Sequence, residues 1–290
     1  MTTKAKSLST RGTEHPVGRI TLIGRGNAVN DSEKNLVPLF ADFVSKVPKG
    51  THIKILITPA GFLKFTLPIE SLAGVSVDAI APLQLEKIQA LASAKITEYI
   101  SMVDKPTLKK FGEVVDYLTI GIDESGLDGK HKRTIELIAV YDVKVGKVIH
   151  YTGKFYPTPI QSKVLIRYPK TSSHFIDLNG TKIMILGCND LNVFNPRGKK
   201  SITGWRADAY LEYIAYAKKY QPQIAIQHPH RTEHTLVWAH GWYGLTKALP
   251  SVTDYAGSVR ARGESYLPCY TDDILGATKR GNIFEYTYKP

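Results

Sequence analysis

The chain has 290 residues, 43% of them hydrophobic, and 38 Lys and Arg against 26 Asp and Glu give it a formal charge of +12. That length and apolar content suit one large α/β domain, and the charge makes nucleic acid or another polyanion a candidate partner. No stretch approaches the ~18 apolar residues of a membrane span, and MTTKAKSLSTRGTEHP has no apolar signal core, so a soluble cytoplasmic protein is expected.

Residues 1 to 18 read as a loose arm, followed by one domain over 19 to 290. Arg19 to Gly24 is a short apolar strand, and Asn35 to Val47 carries apolar residues at helical spacing. His52 to Thr58 is a second strand that Pro59 must end, because proline cannot donate to a sheet ladder. Two helices are expected next, Pro82 to Val103 with proline in its first turn and Pro106 to Val115.

Tyr117 to Ile122 is strand, ending in the polar turn Glu124 to Gly129. Thr134 to Val143 and Lys147 to Thr152 flank Lys144-Val145-Gly146 as a hairpin. A second hairpin joins Phe175–Leu178 to Lys182–Gly187 through Asn179-Gly180, the pair that a tight I′ turn favours. Helix is expected over Ala207 to Tyr220, strand over Gln223 to Gln227, helix over Thr232 to Leu249, and short strands at Ser251 to Val259 and Ile283 to Tyr288.

Cys188 and Cys269 are the only cysteines, and two in so long a chain read as free thiols. Cys188 directly follows the second hairpin and precedes Asn189-Asp190, a strand-end placement that suits a nucleophile. The segment His228-Pro229-His230-Arg231-Thr232-Glu233-His234 lacks the helical H-E-x-x-H spacing, so it reads as a substrate-pocket wall or helix cap before a metal site. Trp238, Trp242 and Tyr243 read as packing residues. The basic runs Lys130 to Arg133 and Arg197 to Lys200 are not interleaved with aromatics, so a solvated basic surface competes with an anion-binding face.

Three blocks taken together, Ile55 to Phe62 (ILITPAGF), Val148 to Lys154 (VIHYTGK) and Lys182 to Asp190 (KIMILGCND), resemble the nitrilase and aliphatic amidase family of carbon–nitrogen hydrolases. The resemblance implies a four-layer α-β-β-α sandwich and a homodimer or larger homo-oligomer; no cofactor or metal is expected. It implies Cys188 as nucleophile, Lys154 as the cation that meets the tetrahedral intermediate, and position 60 as the general base. A thiol needs such company, because the thiolate is the attacking form and the developing oxyanion needs donors.

Position 60 is alanine, and a methyl group moves no protons. The alanine is an engineered glutamate replacement, the mark of a non-catalytic relative, or a site whose role another carboxylate has taken. Those alternatives stay open in the sequence, with Glu124 and Asp190 the nearest substitutes. Asn189, Phe62, Glu124 and His228 are the expected substrate contacts, and the substrate is expected to be a small amide or nitrile. Pro-, Lys- and Arg-rich residues 155 to 173 would welcome an anionic one. The rival reading is a binding or regulatory protein on the same fold that recognises a nucleotide or nucleic acid through its basic face.

Overall fold

The computed structural model describes residues 13–24, 36–68, 72, 75–78, 80–124, 133–195, 202–230, 235–262 and 276–289. In the first half of the chain, β1 (Glu14–Gly24) is followed by α1 (Pro38–Lys46), β2 (His52–Ile57) and β3 (Leu63–Phe65). Then come α2 (Pro82–Ser101), α3 (Lys105–Val114), β4 (Val115–Glu124), β5 (Glu136–Asp142) and β6 (Lys147–Gly153). The second half contains β7 (Phe175–Leu178), β8 (Thr181–Leu186), α4 (Trp205–Tyr220), β9 (Ile224–Gln227) and α5 (Thr235–Ala248). It ends with β10 (Asp254–Gly257), β11 (Val259–Arg262), β12 (Lys279–Arg280) and β13 (Ile283–Tyr288).

The strands form two sheets. The larger runs β11-β1-β2-β4-β5-β6, with β13 added to β1 and β3 to β4, and the smaller runs β12-β10-β9-β8-β7. β1 begins at Glu14, five residues before the expected strand, and pairs in parallel with β2, β11 and β13. The extension has an apolar cause: Val17 lies opposite Ile55 and is fully buried, so the expected arm to residue 18 shortens.

Buried residues group by layer. Phe40 and Phe43 of α1, Ile88 and Tyr99 of α2, and Phe111 of α3 pack with Ile20 and Leu118 of the larger sheet. Tyr213 of α4 and Trp242 and Leu245 of α5 pack with Met184, Leu186 and Ala225 of the smaller. Between them, Val17, Ile55, Ile57, Ile138 and Val140 of one sheet meet Ile183, Ile185, Ile224 and Ile226 of the other. Strand alternation explains β8: Ile183 and Ile185 face the other sheet while Met184 and Leu186 face the helices. Trp238 and Trp242 are buried as expected, whereas Tyr243 is exposed.

The Asn179-Gly180 hairpin forms with both residues left-handed, φ 53° and 79°. It sets β7 antiparallel to β8, Phe175 opposite Met184 and Leu178 opposite Thr181. The hairpin of β5 and β6 is less regular. Tyr141 pairs with Val148 but Val140 pairs with His150, so Ile149 is an extra residue on β6.

Candidate functional site

Cys188 emerges where β8 ends, partly exposed and packed beside the aromatic cluster of α4 and α5. Its loop is held by Asp190, which is fully buried and accepts N–H bonds from Gly187 at 2.8 Å, Phe155 at 3.0 Å and Tyr156 at 2.6 Å. One carboxylate thereby ties the residue before the cysteine to the two residues after Lys154. Gly187 is required there, since a Cβ would lie 2.7 Å from Asp190 Oδ2 and 3.3 Å from the Lys154 Cα. The Gln227 side chain, at the end of β9, donates to the Cys188 carbonyl at 2.8 Å.

Asp123, Glu136 and Lys154 form a row across β4, β5 and the end of β6. Asp123 is paired with Glu136 in the antiparallel register, and Leu137 with Gly153. The next pair outward is Glu136 and Lys154, joined by a Lys154 N–H to Glu136 C=O bond of 3.1 Å. The extra residue at Ile149 makes this row. Without it Lys154 would slip by one against β5, and a one-residue slip turns a side chain to the other face. The Lys154 side chain has no solvent exposure, and its Nζ lies 2.9 Å from Glu136 Oε2 and 3.2 Å from Oε1.

His230, three residues beyond β9, closes the arrangement. Its backbone N–H donates to Cys188 Sγ at 3.3 Å, its Nε2 is 2.6 Å from Asp123 Oδ2, and its Nδ1 is 3.9 Å from Glu136 Oε2. Position 60 borders the same group. The Ala60 N–H donates to the Pro229 carbonyl at 3.3 Å, and Gly61, at φ 60°, has its α-carbon so close to Asp123 that a Cβ would sit 2.7 Å from Oδ2. Ala60 thus reaches the group through Pro229, the neighbour of His230, while His230 touches both Cys188 and Asp123 and stands 3.9 Å from the Glu136 that holds Lys154.

The electrostatics follow from burial and these pairs. Burial pulls Lys154 down, but Glu136, then Cys188, outweigh it and leave the ammonium above the usual lysine range. Burial raises Glu136 above the ordinary carboxylate range, against the pull of His230 and Lys154. Burial also opposes charge on His230, yet Asp123, the Cys188 sulfur and Glu136 together raise it well above the ordinary histidine value. The site therefore sets two groups that favour positive charge, Lys154 and His230, near Cys188, with Glu136 against the first and Asp123 against the second.

The residues expected from sequence divide. Cys188, Lys154 and Ala60 come together through the contacts above. Asn189 starts the short 3-10 helix Asp190–Phe194 and donates to the Gln161 side chain at 3.0 Å. Phe62 is buried in the larger core, its ring edge-on to Tyr99 at 5.8 Å. Glu124 is buried at the end of β4, one residue past Asp123 and on the opposite face of the strand. His228 has no solvent exposure, and burial pushes it down to about 3 against a backbone contact from Thr58. Cys269, Glu233, His234 and both basic runs except Arg133 lie outside the described residues.

Sequence reasoning singled out neither Asp123 nor Glu136, and it gave the histidine contact to His228 where His230 reaches the thiol. The available signal was positional: each carboxylate marks an end of an apolar strand, IGIDE and ELIAV. Asp190, weighed as a substitute base, is committed to three backbone amides instead.

No family model matches the chain. No curated protein matches it by sequence. Among solved structures it is similar to a cysteine mutant of the Nesterenkonia AN1 amidase from the nitrilase superfamily, at 14% identity and a TM-score of 0.49 over 84% of this chain and 76% of that one. An amidase from Nesterenkonia sp. matches at 14% identity and a TM-score of 0.48 over the same shares of both chains. A double mutant of the Nesterenkonia sp. AN1 amidase, in complex with acrylamide, also matches at 14% identity and 0.48, again over 84% and 76%.

Proposed function

We propose that the protein is a carbon–nitrogen hydrolase of amidase or nitrilase type, folded as a four-layer α-β-β-α sandwich, that cleaves a non-peptide carbon–nitrogen bond through a thioester on Cys188. The observation that carries this reading is the setting of Cys188: the His230 backbone N–H donates to Sγ, and the buried Lys154 ammonium, held by Glu136, is close enough for its charge to be felt by the sulfur. The Cys188 sulfur attacks the amide or nitrile carbon. Lys154, kept charged in a buried setting, meets the developing negative charge, with the Asn189 N–H as a second donor. The nitrogen leaves as ammonia or an amine, and water then releases the acid from sulfur.

An anionic substrate suits the surroundings. Arg206 stacks over Tyr156 at 3.9 Å, and the Tyr156 N–H is held by the same Asp190 that fixes the cysteine loop. Cytoplasmic residence, from the N-terminal sequence, and a homodimer, from the family resemblance, belong to the same proposal; sedimentation at micromolar concentration checks the dimer.

The test is ammonia release from a panel of short amides and nitriles, neutral and carboxylated, with intact mass read in parallel. Turnover that is lost in Cys188→Ala, or an acyl adduct on Cys188, is the expected result. Absence of both across the panel would remove the hydrolase. Ala60 and the +12 charge favour a second reading, a non-catalytic binder of nucleotides or nucleic acid. Retention on heparin that falls steeply with salt would support it, and retention indifferent to salt would end it.

A further inference from the structure

Resting on the Cys188 thioester reading, we propose that His230, held by Asp123, performs the proton transfers that Ala60 cannot, so that Cys188, His230 and Asp123 act as a triad while Glu136 serves Lys154. Three observations converge on His230. Its backbone lies on the nucleophile, N–H to Sγ at 3.3 Å. Its Nε2 is engaged by Asp123 at 2.6 Å, which orients the ring and leaves Nδ1 for exchange. Its side chain keeps 30% of its exposure, so water and a leaving nitrogen have access.

The other candidates have different work. Asp190 is saturated by three amides. Glu136 grips the Lys154 ammonium with both oxygens and stands 3.9 Å from Nδ1, beyond hydrogen-bonding range. Ala60 presents a methyl. The charged groups facing the ring are Asp123 from β4, Glu136 from β5, Lys154 after β6 and Cys188 after β8. Arg260 of β11, donating to the Gly61 carbonyl at 3.1 Å, stands behind Asp123.

Protons balance through one imidazole. The ring enters the cycle in its neutral form, which grows as pH rises toward its raised pKa; the thiol proton then passes from Sγ to His230, and the sulfur forms its bond to the amide carbon as the C=O electron pair moves onto oxygen beside Lys154. The imidazolium returns that proton to the departing nitrogen as the carbon–nitrogen bond breaks, giving ammonia and a thioester. The neutral ring then takes a proton from water as the oxygen of that water bonds to the acyl carbon. Collapse expels the sulfur, which recovers the proton, and the acid leaves. Asp123 remains ionised throughout as a positioning residue, stabilising the imidazolium without accepting its proton.

The test separates acylation from deacylation with p-nitrophenyl acetate, whose leaving group departs without a proton donor. Acetyl-Cys188 is followed by intact mass after excess ester is removed. Wild-type protein should label and then lose the acetyl group, faster as pH rises through the raised imidazole pKa. His230→Gln should label more slowly than wild type, still reaching acetyl-Cys188 under excess ester, and then deacylate about 100-fold more slowly or worse, with that pH limb gone. Asp123→Asn should slow the loss less and shift the limb downward.

Should these variants be misfolded by circular dichroism, His230→Gly with added free imidazole supplies an independent arm, because restored deacetylation requires a ring in the vacated space. Deacetylation at the wild-type rate in a folded His230→Gln, or slowed by Glu136→Gln but not by His230→Gln, overturns the triad and leaves the cysteine hydrolase standing. No label on Cys188 in any form overturns the hydrolase reading itself and the triad with it.

Discussion

Cys188 sits in a loop gathered on one buried carboxylate, Asp190, which binds the amides of 187, 155 and 156, whereas Asp123, Glu136 and His230 arrive from the ends of three strands. The first region turns on few residues: a tight hairpin delivers β8, a glycine permits the approach of Asp190, and Asp190 ties the loop to the segment after Lys154. The second depends on register. Its carboxylates meet their cations because β4 pairs with β5 at Asp123 and Glu136, and because one extra residue in β6 turns Lys154 to the same side. Among the described residues, the loop gathered on Asp190 makes no hydrogen bond to position 60, so alanine there leaves its bonding intact. A row built by register can supply substitutes from adjacent positions.

The sharpest way to break this contrast is Glu136→Ala. It strips a buried ammonium of its carboxylate, and such uncompensated charges cost about 3–5 kcal/mol, to be read as a lowered urea midpoint. A loss below about 1 kcal/mol would mean that Lys154 does not depend on the row. Asp190→Ala probes the other region by leaving three amide N–H groups without their acceptor, two of them in the segment after Lys154. A loss of about 3 kcal/mol is expected, at one or more per stranded donor group. Kinetically the two should diverge: the Asp190 change disturbs acylation of Cys188, the Glu136 change the charge that meets the oxyanion.

How much of this was legible in the sequence follows the same division. Contiguous signals, namely Pro59 ending β2, Asn179-Gly180 turning β7 into β8, and Gly187-Cys188 at the strand end, mark β2, β7 and β8 to within a residue, whereas the expected strand over 251 to 259 divides into β10 of the smaller sheet and β11 of the larger. Glu136 read as an unremarkable polar start to a strand. Its partnership with Lys154 turns on the extra residue at Ile149, which no turn residue announces. Glu124 stands out in the sequence while Asp123 is the carboxylate that meets His230, since strand alternation sends adjacent residues to opposite faces and the sequence does not say which face turns toward Cys188. His228 and His230 posed the same ambiguity two residues apart, with Pro229 between them breaking strand periodicity. The early start of β1 went unseen because Glu14 and His15 look like arm, and only pairing with β2 draws them in.

Acid titration sharpens the difference between those two histidines. His228 is neutral and fully enclosed, its pKa pushed down to about 3, so the folded state binds fewer protons than the unfolded chain once pH falls below the ordinary histidine value of about 6.5. The stability lost between pH 7 and pH 5 on its account is about 2 kcal/mol. His174, also buried and lowered, adds loss in the same direction. His230 behaves oppositely: its raised pKa contributes stability that is fully present below about pH 6.5 and disappears as pH rises through the folded value. The check is the wild-type minus His228→Gln difference in urea stability, which should change by about 2 kcal/mol from pH 7 to pH 5. A difference that stays flat with pH would mean that His228 is not held neutral by enclosure.

The smallest effect tests the local region alone. Asn179 holds φ 53°, a conformation that costs most side chains about 1 kcal/mol and asparagine less, and its side chain donates to the Tyr117 hydroxyl at 2.9 Å. Asn179→Ala should therefore lower stability by about 1–2 kcal/mol, while Asn179→Gly should recover the backbone share and lose only the Tyr117 bond. Neither should alter deacetylation of Cys188, because four further pairs of β7 and β8 and the Asp190 amide bonds stand between the turn and the thiol. A change in deacetylation rate with stability preserved would show that the hairpin sets the position of the nucleophile directly, and the loop would then lose its independence from the strands that feed it.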